Sequence, residues 1–328
     1  MHHPDTYLHG RRTPWAEAPA ALRDWVLTRS GPAIGTPRDC AGGMATGVAA
    51  VVEGAERSVF VKAVDTDDNP MGGAMYRREA ELAGLLPRHP TIPALLDAGP
   101  VDADGTNWWA NVFQAAPGSP PHHPWQASDL ARVLTAWADL APTLHATQWS
   151  TSAGLSDFFT AWRSIAEDPT DPWQRRGRAW ADREAALTAV VDGDDAPGGR
   201  VLSHIDLRAD NLLVAPDNRD TDVAAVAFLD WAHPGTAAPW VDVALLLGDV
   251  VASGADVTAG GDIDVIATFA EYHPDVDSEL AITTISALGA FLHRRAHREE
   301  VNPAMPHRTT WARAASEQSL PFIDAHGH

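Results

Sequence analysis

The chain is poor in cysteine and in long apolar runs. Cys40 is the only cysteine among 328 residues, so no disulfide can form within the chain, which fits a reducing compartment. Nowhere do about eighteen apolar residues follow one another, so we expect no transmembrane helix. The N-terminal stretch MHHPDTYLHGRRTPW contains no apolar core of the kind found in signal peptides. These absences predict a cytoplasmic protein.

Basic side chains are scarce relative to acidic ones. The chain has 24 Lys and Arg against 44 Asp and Glu, which gives a formal net charge of -20. A surface this acidic repels the phosphates of nucleic acids and anionic membranes, and it attracts small cations. We therefore expect neither a nucleic acid nor a membrane as a partner, and we favour a small cationic molecule.

The N-terminal third of the chain is rich in β-type patterns. The hydrophobic spacing predicts, in order, a helix over 15–29, strands at 48–52 and 59–64, a helix over 72–86 and a strand at 107–114. The breaker cluster AAPGSPPHHPW follows directly. We place a boundary between two lobes there, after residue 115.

The rest of the chain is mainly helical in pattern. Helix-like spacing of Leu, Trp, Phe and Ala covers 127–147, roughly 155–190, and the region after Asp230 up to about residue 316. A hairpin with strands at 212–214 and 223–229 interrupts these helices.

Together these patterns predict an α+β protein with two lobes. Residues 1–115 would form a β-rich N-terminal lobe with one key helix, preceded by a helical extension over 1–40. Residues 116–328 would form a helical C-terminal lobe. A chain of this length can bury a sizeable core in such an arrangement.

The stretch VLSHIDLRADNLLV, residues 201–214, places many polar side chains between two apolar runs. Polar groups near a core are costly unless they are paired or bind something, so we look for function here. Asn211 follows Asp206 by five residues, and Asp230 lies at the end of the second predicted strand of the hairpin, 223–229. Oxygen ligands of this kind suit Mg²⁺, so Asn211 and Asp230 are the predicted metal ligands. Asp206 is then available to receive a proton from a hydroxyl group.

A second group of candidates lies upstream. Lys62 sits in the strand SVFVKAV among apolar residues, where an ammonium group needs a partner. On the predicted helix, Glu79 shares a face with Met75 and Leu82, so it points inward. We therefore predict that Lys62 pairs with Glu79 and that the ammonium group holds the phosphates of a nucleotide.

A glycine-rich stretch precedes the first of the long strands. It covers residues 42–47 and includes Gly43 and Gly47. Glycine lets backbone N–H groups approach a phosphate closely, so we interpret the stretch as a candidate phosphate-binding turn.

The string HIDLRADNLLV followed by AFLDWA resembles the aminoglycoside phosphotransferase and choline kinase family, the small-molecule branch of the protein-kinase-like fold. The resemblance extends from about Gly42 to Asp242. It implies a bilobal kinase-like fold and ATP as the phosphate donor, with GTP as the alternative. It also implies Asp206 as catalytic base, with Asn211 and Asp230 bound to Mg²⁺.

The resemblance has further implications for the site. It implies that adenine is hydrogen-bonded by the backbone of the linker between the lobes, from Gln114 to Ala116, and that Asp242 steadies the catalytic loop. The chain departs from protein kinases because only a short segment separates Trp231 from Asp242, which leaves no room for an activation segment. Arg208 has two open interpretations, contact with a phosphate or pairing with a neighbouring acid.

These features predict a phosphotransferase that moves the γ-phosphate of ATP to a hydroxyl group of a small molecule, an aminoglycoside-like or other amine-bearing antibiotic. The alternatives are a metabolic kinase of choline, homoserine or a sugar, and a catalytically inactive kinase-like binding protein. We expect the acceptor site in the helical lobe. The acids that could attract an ammonium group there are Asp262, Asp264, Glu271, Asp275, Asp277, Glu279, Glu299 and Glu300.

Overall fold

The computed structural model describes residues 12–40, 46–195, 198–216, 224–258, 260–298 and 307–327. They form two compact units. The first unit comprises the described residues within Met1–Gly118, Ala215–Ala232 and Val301–Arg308, and the second those within Ser119–Val214, His233–Glu300 and Thr309–His328. Asp230 therefore belongs to the first unit, whereas Asp206 and Asn211 belong to the second.

The first unit is built on a five-stranded antiparallel sheet in the order β1-β2-β3-β5-β4. Its strands are β1 (Arg38–Asp39), β2 (Val48–Glu53), β3 (Ser58–Asp65), β4 (Leu95–Ala103) and β5 (Thr106–Gln114), and β8 (Val226–Phe228) also lies in this unit. Side chains alternate along a strand, so Val59 and Val61 of β3 face one side of the sheet and Lys62 faces the other.

Two helices accompany this sheet. Helix α1 (Ala20–Ser30) contributes Leu22 and Val26 to the same apolar cluster as Val59 and Val61, so it covers that face. Helix α2 (Pro70–Ala83) contacts β3, β4 and β5. The side chain of Asn69 caps α2 by accepting a hydrogen bond from Gly72 N at 2.8 Å.

Two sequence predictions for this unit need correction, and one strand was not predicted. The helix predicted over 15–29 is two elements, a short 3-10 turn at Trp15–Glu17 and then α1, because Pro19 forces the preceding Ala18 into an extended conformation. Helix α2 runs over Pro70–Ala83 rather than 72–86. Strand β4 was not predicted because Gly99 and Pro100 interrupt its pattern. It is an edge strand of the sheet, where proline is tolerated.

The second unit is mainly helical. Its helices are α3 (Ala127–Ala146), α4 (Leu155–Phe158), α5 (Ala161–Glu167), α6 (Gln174–Thr188), α7 (Val241–Ala252), α8 (Val265–Tyr272), α9 (Ser278–Arg298) and α10 (His307–His326). Strands β6 (Val201–Ser203) and β9 (Gly235–Ala237) form a small antiparallel sheet, and β7 is Leu212–Val214. Every residue of α7 is buried, which identifies it as the central helix of this unit.

The helical pattern of this unit also differs in detail from the prediction. The region 155–190 is divided into α4, α5 and α6, and α5 ends just before Pro169, which disfavours helical geometry in the residue that precedes it. Helix α10 continues past Pro321 to His326 rather than ending near 316, since Phe322 and Ile323 are buried. Among the described helices, none combines the length and the apolar character that a bilayer crossing requires.

One histidine of the second unit makes stability depend on pH. His273 follows α8 and packs against Phe269 with ring centroids 5.3 Å apart. Burial, and to a lesser extent the charge of His145, lower the pKa of His273 from 6.5 to about 4. The unfolded chain therefore binds a proton that the folded chain does not, so the free energy of unfolding should fall as the pH drops from about 6.5 towards 4.

We expect this group to account for a loss of about 1 kcal/mol between pH 7 and pH 5, allowing for the partial exposure of the ring. Urea unfolding of the wild type and of His273→Gln at both pH values measures it. The variant should lose less stability on acidification than the wild type. Equal losses in the two proteins would contradict the assignment.

Candidate active site

Lys62 is held between two carboxylates in the first unit. Its Nζ lies 2.5 Å from Oε1 of Glu79 and 3.2 Å from Oδ1 of Asp230. The pairing with Glu79 that the helix pattern predicted is therefore present. Strand β3 places Lys62 on the sheet face opposite Val59 and Val61, and there its ammonium group also lies 5.3 Å from the ring centroid of Tyr76.

Asn111 supports this pair, and sequence reasoning missed it. It is opposite Lys62 in the register of β3 and β5 and is completely buried. Its Nδ2 donates to Oε2 of Glu79 at 3.0 Å and to the carbonyl of Tyr76 at 2.8 Å, while its Oδ1 accepts from Trp109 Nε1 at 2.8 Å. The available signal was a single amide residue inside the otherwise apolar run WWANVF, residues 108–113.

The charges in this cluster stabilise one another. Burial lowers the pKa of Lys62, but the carboxylates of Asp230 and Glu79 raise it by more, so the ammonium group stays protonated. Burial raises the pKa of Glu79 by more than the charge of Lys62 lowers it. The buried carboxylate of Glu79 therefore depends on Lys62 and Asn111 for its partners.

Asp230 follows β8 in a left-handed backbone conformation with φ of 57°. Its side chain is 47% exposed, in contrast to that of Glu79 at 3%. The turn at this point is supported by Trp231, whose Nε1 donates to the carbonyl of Phe228 at 3.0 Å. Nearly half of the surface of the Asp230 side chain is therefore open to contact with a ligand.

Asp206 and Asn211 are joined directly in the second unit. Nδ2 of Asn211 donates at 2.9 Å both to the carbonyl oxygen and to Oδ2 of Asp206. The side chain of Asp206 is 43% exposed, whereas Asn211 is buried. The two side chains, five positions apart in sequence, are therefore in direct contact, and the Asp206 carboxylate is partly exposed.

Arg208 pairs with the acids of its own loop. Its Nε lies 3.4 Å from Oδ1 of Asp206 and 2.9 Å from Oδ1 of Asp210, and its guanidinium carbon is 5.5 Å from the ring centroid of Trp311 on α10. Of the two interpretations of Arg208, the structure therefore displays the contact with acids. The guanidinium group places a positive charge beside the candidate base.

Asp242 of α7 fixes the start of the loop of residues 204–211, which carries the candidate base. Its two carboxylate oxygens accept hydrogen bonds from the backbone N–H groups of His204 at 2.8 Å and Ile205 at 2.7 Å. Ile205 has a φ of 73°, a strained conformation for a β-branched residue. Burial raises the pKa of Asp242, whereas the charge of His204 and these two bonds lower it. The Asp242 bonds help to hold the loop in this strained form.

The other residues predicted to bind the nucleotide belong to the first unit. Gln114 is exposed at the end of β5, with its N–H bonded to the carbonyl of Ala94 at 2.8 Å, and Ala116 is half-buried in the linker that follows. A Cβ atom on Gly47, which has φ of 94°, would lie 2.2 Å from the carbonyl oxygen of Ala63, so packing against β3 already requires glycine there. Gly43 lies outside the described residues.

Comparison with known proteins establishes the family. The sequence profile of the phosphotransferase enzyme family (APH) matches residues 48–281, a span that contains both halves of the candidate site. The chain belongs to this family, and the resemblance inferred from its motifs is confirmed. The protein is therefore an enzyme that transfers phosphate to a hydroxyl group of a small molecule. A search of curated proteins returned no significant match.

Solved structures share the fold at low sequence identity. An aminoglycoside phosphotransferase from Streptomyces rimosus is 21% identical with a TM-score of 0.50, and the match covers 83% of this chain and 97% of that one. A microcompartment-associated aminopropanol kinase is 14% identical with a TM-score of 0.55, covering 93% and 98%. An amicoumacin kinase in complex with AMP-PNP and Ca²⁺ is 13% identical with a TM-score of 0.52, covering 92% of both chains. The predicted α+β kinase-like fold is thereby confirmed.

Proposed function

We propose that the enzyme transfers the γ-phosphate of ATP to a hydroxyl group of an amine-bearing small molecule. The observation that carries the proposal is that each of the two units contains one cluster of the charged and polar side chains that phosphate transfer requires. The first unit holds a charged Lys62 between Glu79 and Asp230, and the second holds Asp206 by the amide of Asn211. Kinase catalysis relies on these kinds of groups to position the phosphate and stabilise its charge.

Lys62 is the proposed ligand of the nucleotide phosphates. Its ammonium group remains charged because Glu79 and Asp230 raise its pKa by more than burial lowers it. A nucleotide phosphate would add a third anionic partner. Gly47, Gln114 and Ala116 remain proposed nucleotide contacts, the first through its backbone and the last two at the linker after β5. AMP-PNP in the amicoumacin kinase supports nucleotide use by this fold.

The donor atoms fit Mg²⁺ as the accompanying ion. Asp230 offers a partly exposed carboxylate, and Asn211 commits its amide nitrogen to Asp206, so its amide oxygen is the atom that a metal would bind. No cluster of three His, Cys, Asp or Glu side chains occurs in the part of the chain that the structure describes. A site with two protein ligands, phosphate oxygens and water is typical of Mg²⁺, which would neutralise phosphate charge when bound.

Asp206 is the proposed general base. The hydroxyl oxygen of the acceptor forms a bond to the γ-phosphorus, the bond to the β,γ-bridging oxygen of ATP breaks, and the hydroxyl proton passes to the Asp206 carboxylate. ADP leaves with the electron pair of the broken bond. The bond from Asn211 orients the carboxylate, and Arg208 lies on its other oxygen.

The amine on the acceptor is proposed from charge and from the named relatives. Several of the candidate acids have other partners: Asp264 caps α8, Asp277 accepts from Glu279 N, and Glu279 pairs with Arg183. Glu299 and Glu300 lie outside the described residues. The remaining candidates are Asp262, Glu271 and Asp275. The net charge of -20 supports attraction of a cation, and the structures of an aminoglycoside phosphotransferase and an aminopropanol kinase support an amine.

A screen of ADP release with aminoglycosides, other amine-bearing antibiotics, choline, homoserine and neutral sugars tests this proposal. We expect turnover with an amine-bearing acceptor and a KM for that acceptor that rises with salt. The physical reason is that the screening length falls from about 30 Å at 0.01 M to about 8 Å at 0.15 M ionic strength. The KM of a neutral acceptor analogue, if it is turned over, serves as the control.

Turnover only with neutral acceptors, or a KM that does not depend on salt, would contradict the amine. Choline or homoserine as the best substrate would identify a metabolic kinase, whereas ATP binding without turnover of any acceptor would indicate a binding protein.

A further inference from the structure

Helix α7 carries a second buried acid on the face that holds the catalytic loop. Asp249 follows Asp242 by seven residues, which is about two helical turns, so both side chains leave the same face. Asp249 is 6% exposed. Its Oδ2 accepts two hydrogen bonds, from the backbone N–H of Ala209 at 2.9 Å and from Trp125 Nε1 at 2.9 Å.

Ala209 lies at the far end of the loop from Asp242. It begins the 3-10 turn Ala209–Asn211, in which Asn211 N donates to the carbonyl of Arg208 at 2.9 Å. The direction of this turn sets the direction of the Asn211 amide, which in turn holds the Asp206 carboxylate. Asp242 and Asp249 therefore fix the two ends of one loop from a single helix.

We propose that Asp249 is a positioning residue for phosphate transfer, which rests on the proposed roles of Asp206 and Asn211. It acts through Ala209, whose backbone N–H donates to its Oδ2 at 2.9 Å. The N–H of Ala209 is buried and needs an acceptor, and Asp249 supplies it. Loss of this bond lets the turn shift, and a displacement of about 1 Å at a catalytic group costs on the order of 10²-fold in rate.

Asp249→Ala and Trp125→Phe form a matched pair of variants. Each removes a bond to the same buried oxygen, but only the first removes the bond to the loop. We expect Asp249→Ala to lower kcat by roughly 10²-fold with little change in the KM for ATP. We expect Trp125→Phe to retain kcat even where its Tm falls. Asp249→Asn keeps an oxygen acceptor at this position and should recover most of kcat.

Hydrogen exchange of residues 204–211 supplies a readout that does not depend on the reaction. Asp249→Ala should exchange roughly tenfold faster there than the wild type, and Trp125→Phe should not. If Asp249→Ala does not fold, Asp249→Glu makes the same test, since it retains the carboxylate and moves it by one methylene.

The outcomes separate the two proposals. A wild-type enzyme that transfers no phosphate from ATP would overturn the proposed function, while the exchange pattern would still decide whether Asp249 holds the loop. Wild-type kcat and wild-type exchange in Asp249→Ala, or in Asp249→Glu where the alanine variant does not fold, would overturn the positioning role. An equal loss of kcat in Trp125→Phe would also overturn it, because the effect would then follow from any lost buried hydrogen bond.

Discussion

Replacing Asp206 by alanine will lower kcat by roughly 10²- to 10⁴-fold while nucleotide binding and folding are retained. The carboxylate is partly exposed and is held by Asn211, so the proposed loss is that of the group that accepts the hydroxyl proton. Initial rates with the acceptor found in the screen, together with ATP titration by calorimetry, measure the two effects separately.

Asp206→Asn is the matched variant because it preserves the size of the side chain but accepts no proton. Asp210→Asn is the control, since Asp210 also pairs with Arg208 but has no proposed role in proton transfer. We expect Asp206→Asn to be as inactive as the alanine variant and Asp210→Asn to retain most activity. Turnover of Asp206→Asn at the wild-type rate would remove the assignment of Asp206 as the base.

Replacing Lys62 by methionine will destabilise the protein by about 3–5 kcal/mol and lower kcat by roughly 10²- to 10³-fold. The ammonium group is the shared partner of Glu79 and Asp230, so its removal leaves a buried carboxylate next to a second negative charge. Glu79, whose pKa burial already raises, will take up a proton more readily in the variant. A raised carboxyl pKa in the folded state favours folding at low pH, so the defect should be smaller at pH 5 than at pH 7.

The double variant Lys62→Met with Glu79→Gln distinguishes stability from catalysis. Removing the charge of Glu79 should recover much of the stability lost by Lys62→Met, because no buried charge remains at that position. It should not recover kcat, since the phosphates still lack the ammonium group. Urea unfolding and initial rates on the four proteins of this cycle measure both effects. Recovered activity in the double variant would show that Lys62 acts only on stability.

Part of the site was predictable because its chemistry follows from spacing along the chain. The Lys62–Glu79 pair was inferred from a lysine in an apolar strand and from the inward face of one helix, and the structure contains it. The spacing of five positions between Asp206 and Asn211 predicted that the two side chains converge on one point, and the structure joins them directly by a hydrogen bond. Short-range patterns of this kind require no knowledge of distant segments.

Other parts depend on contacts between segments far apart in sequence. Asn111 meets Glu79 through the register of β3 and β5 and the packing of α2, and no local pattern specifies that register. Ala209 meets Asp249 forty positions later, on a helix whose burial on all sides is a tertiary property. Sequence reasoning therefore did not identify Asn111 or Asp249. It also left two interpretations open for Arg208, contact with a phosphate or pairing with an acid.

The sequence by itself determined the family, the order of β-rich and helical regions, and the identities of the charged groups, because residue type and local spacing encode these. The tertiary structure decided that Asp230 belongs to the unit of Lys62, that proline and glycine are accommodated in β4, and that two acids of α7 hold the two ends of the loop. Buried N–H groups and charges are costly unless they are paired. Their partners can lie far away in sequence, so only the tertiary structure determines which residues pair.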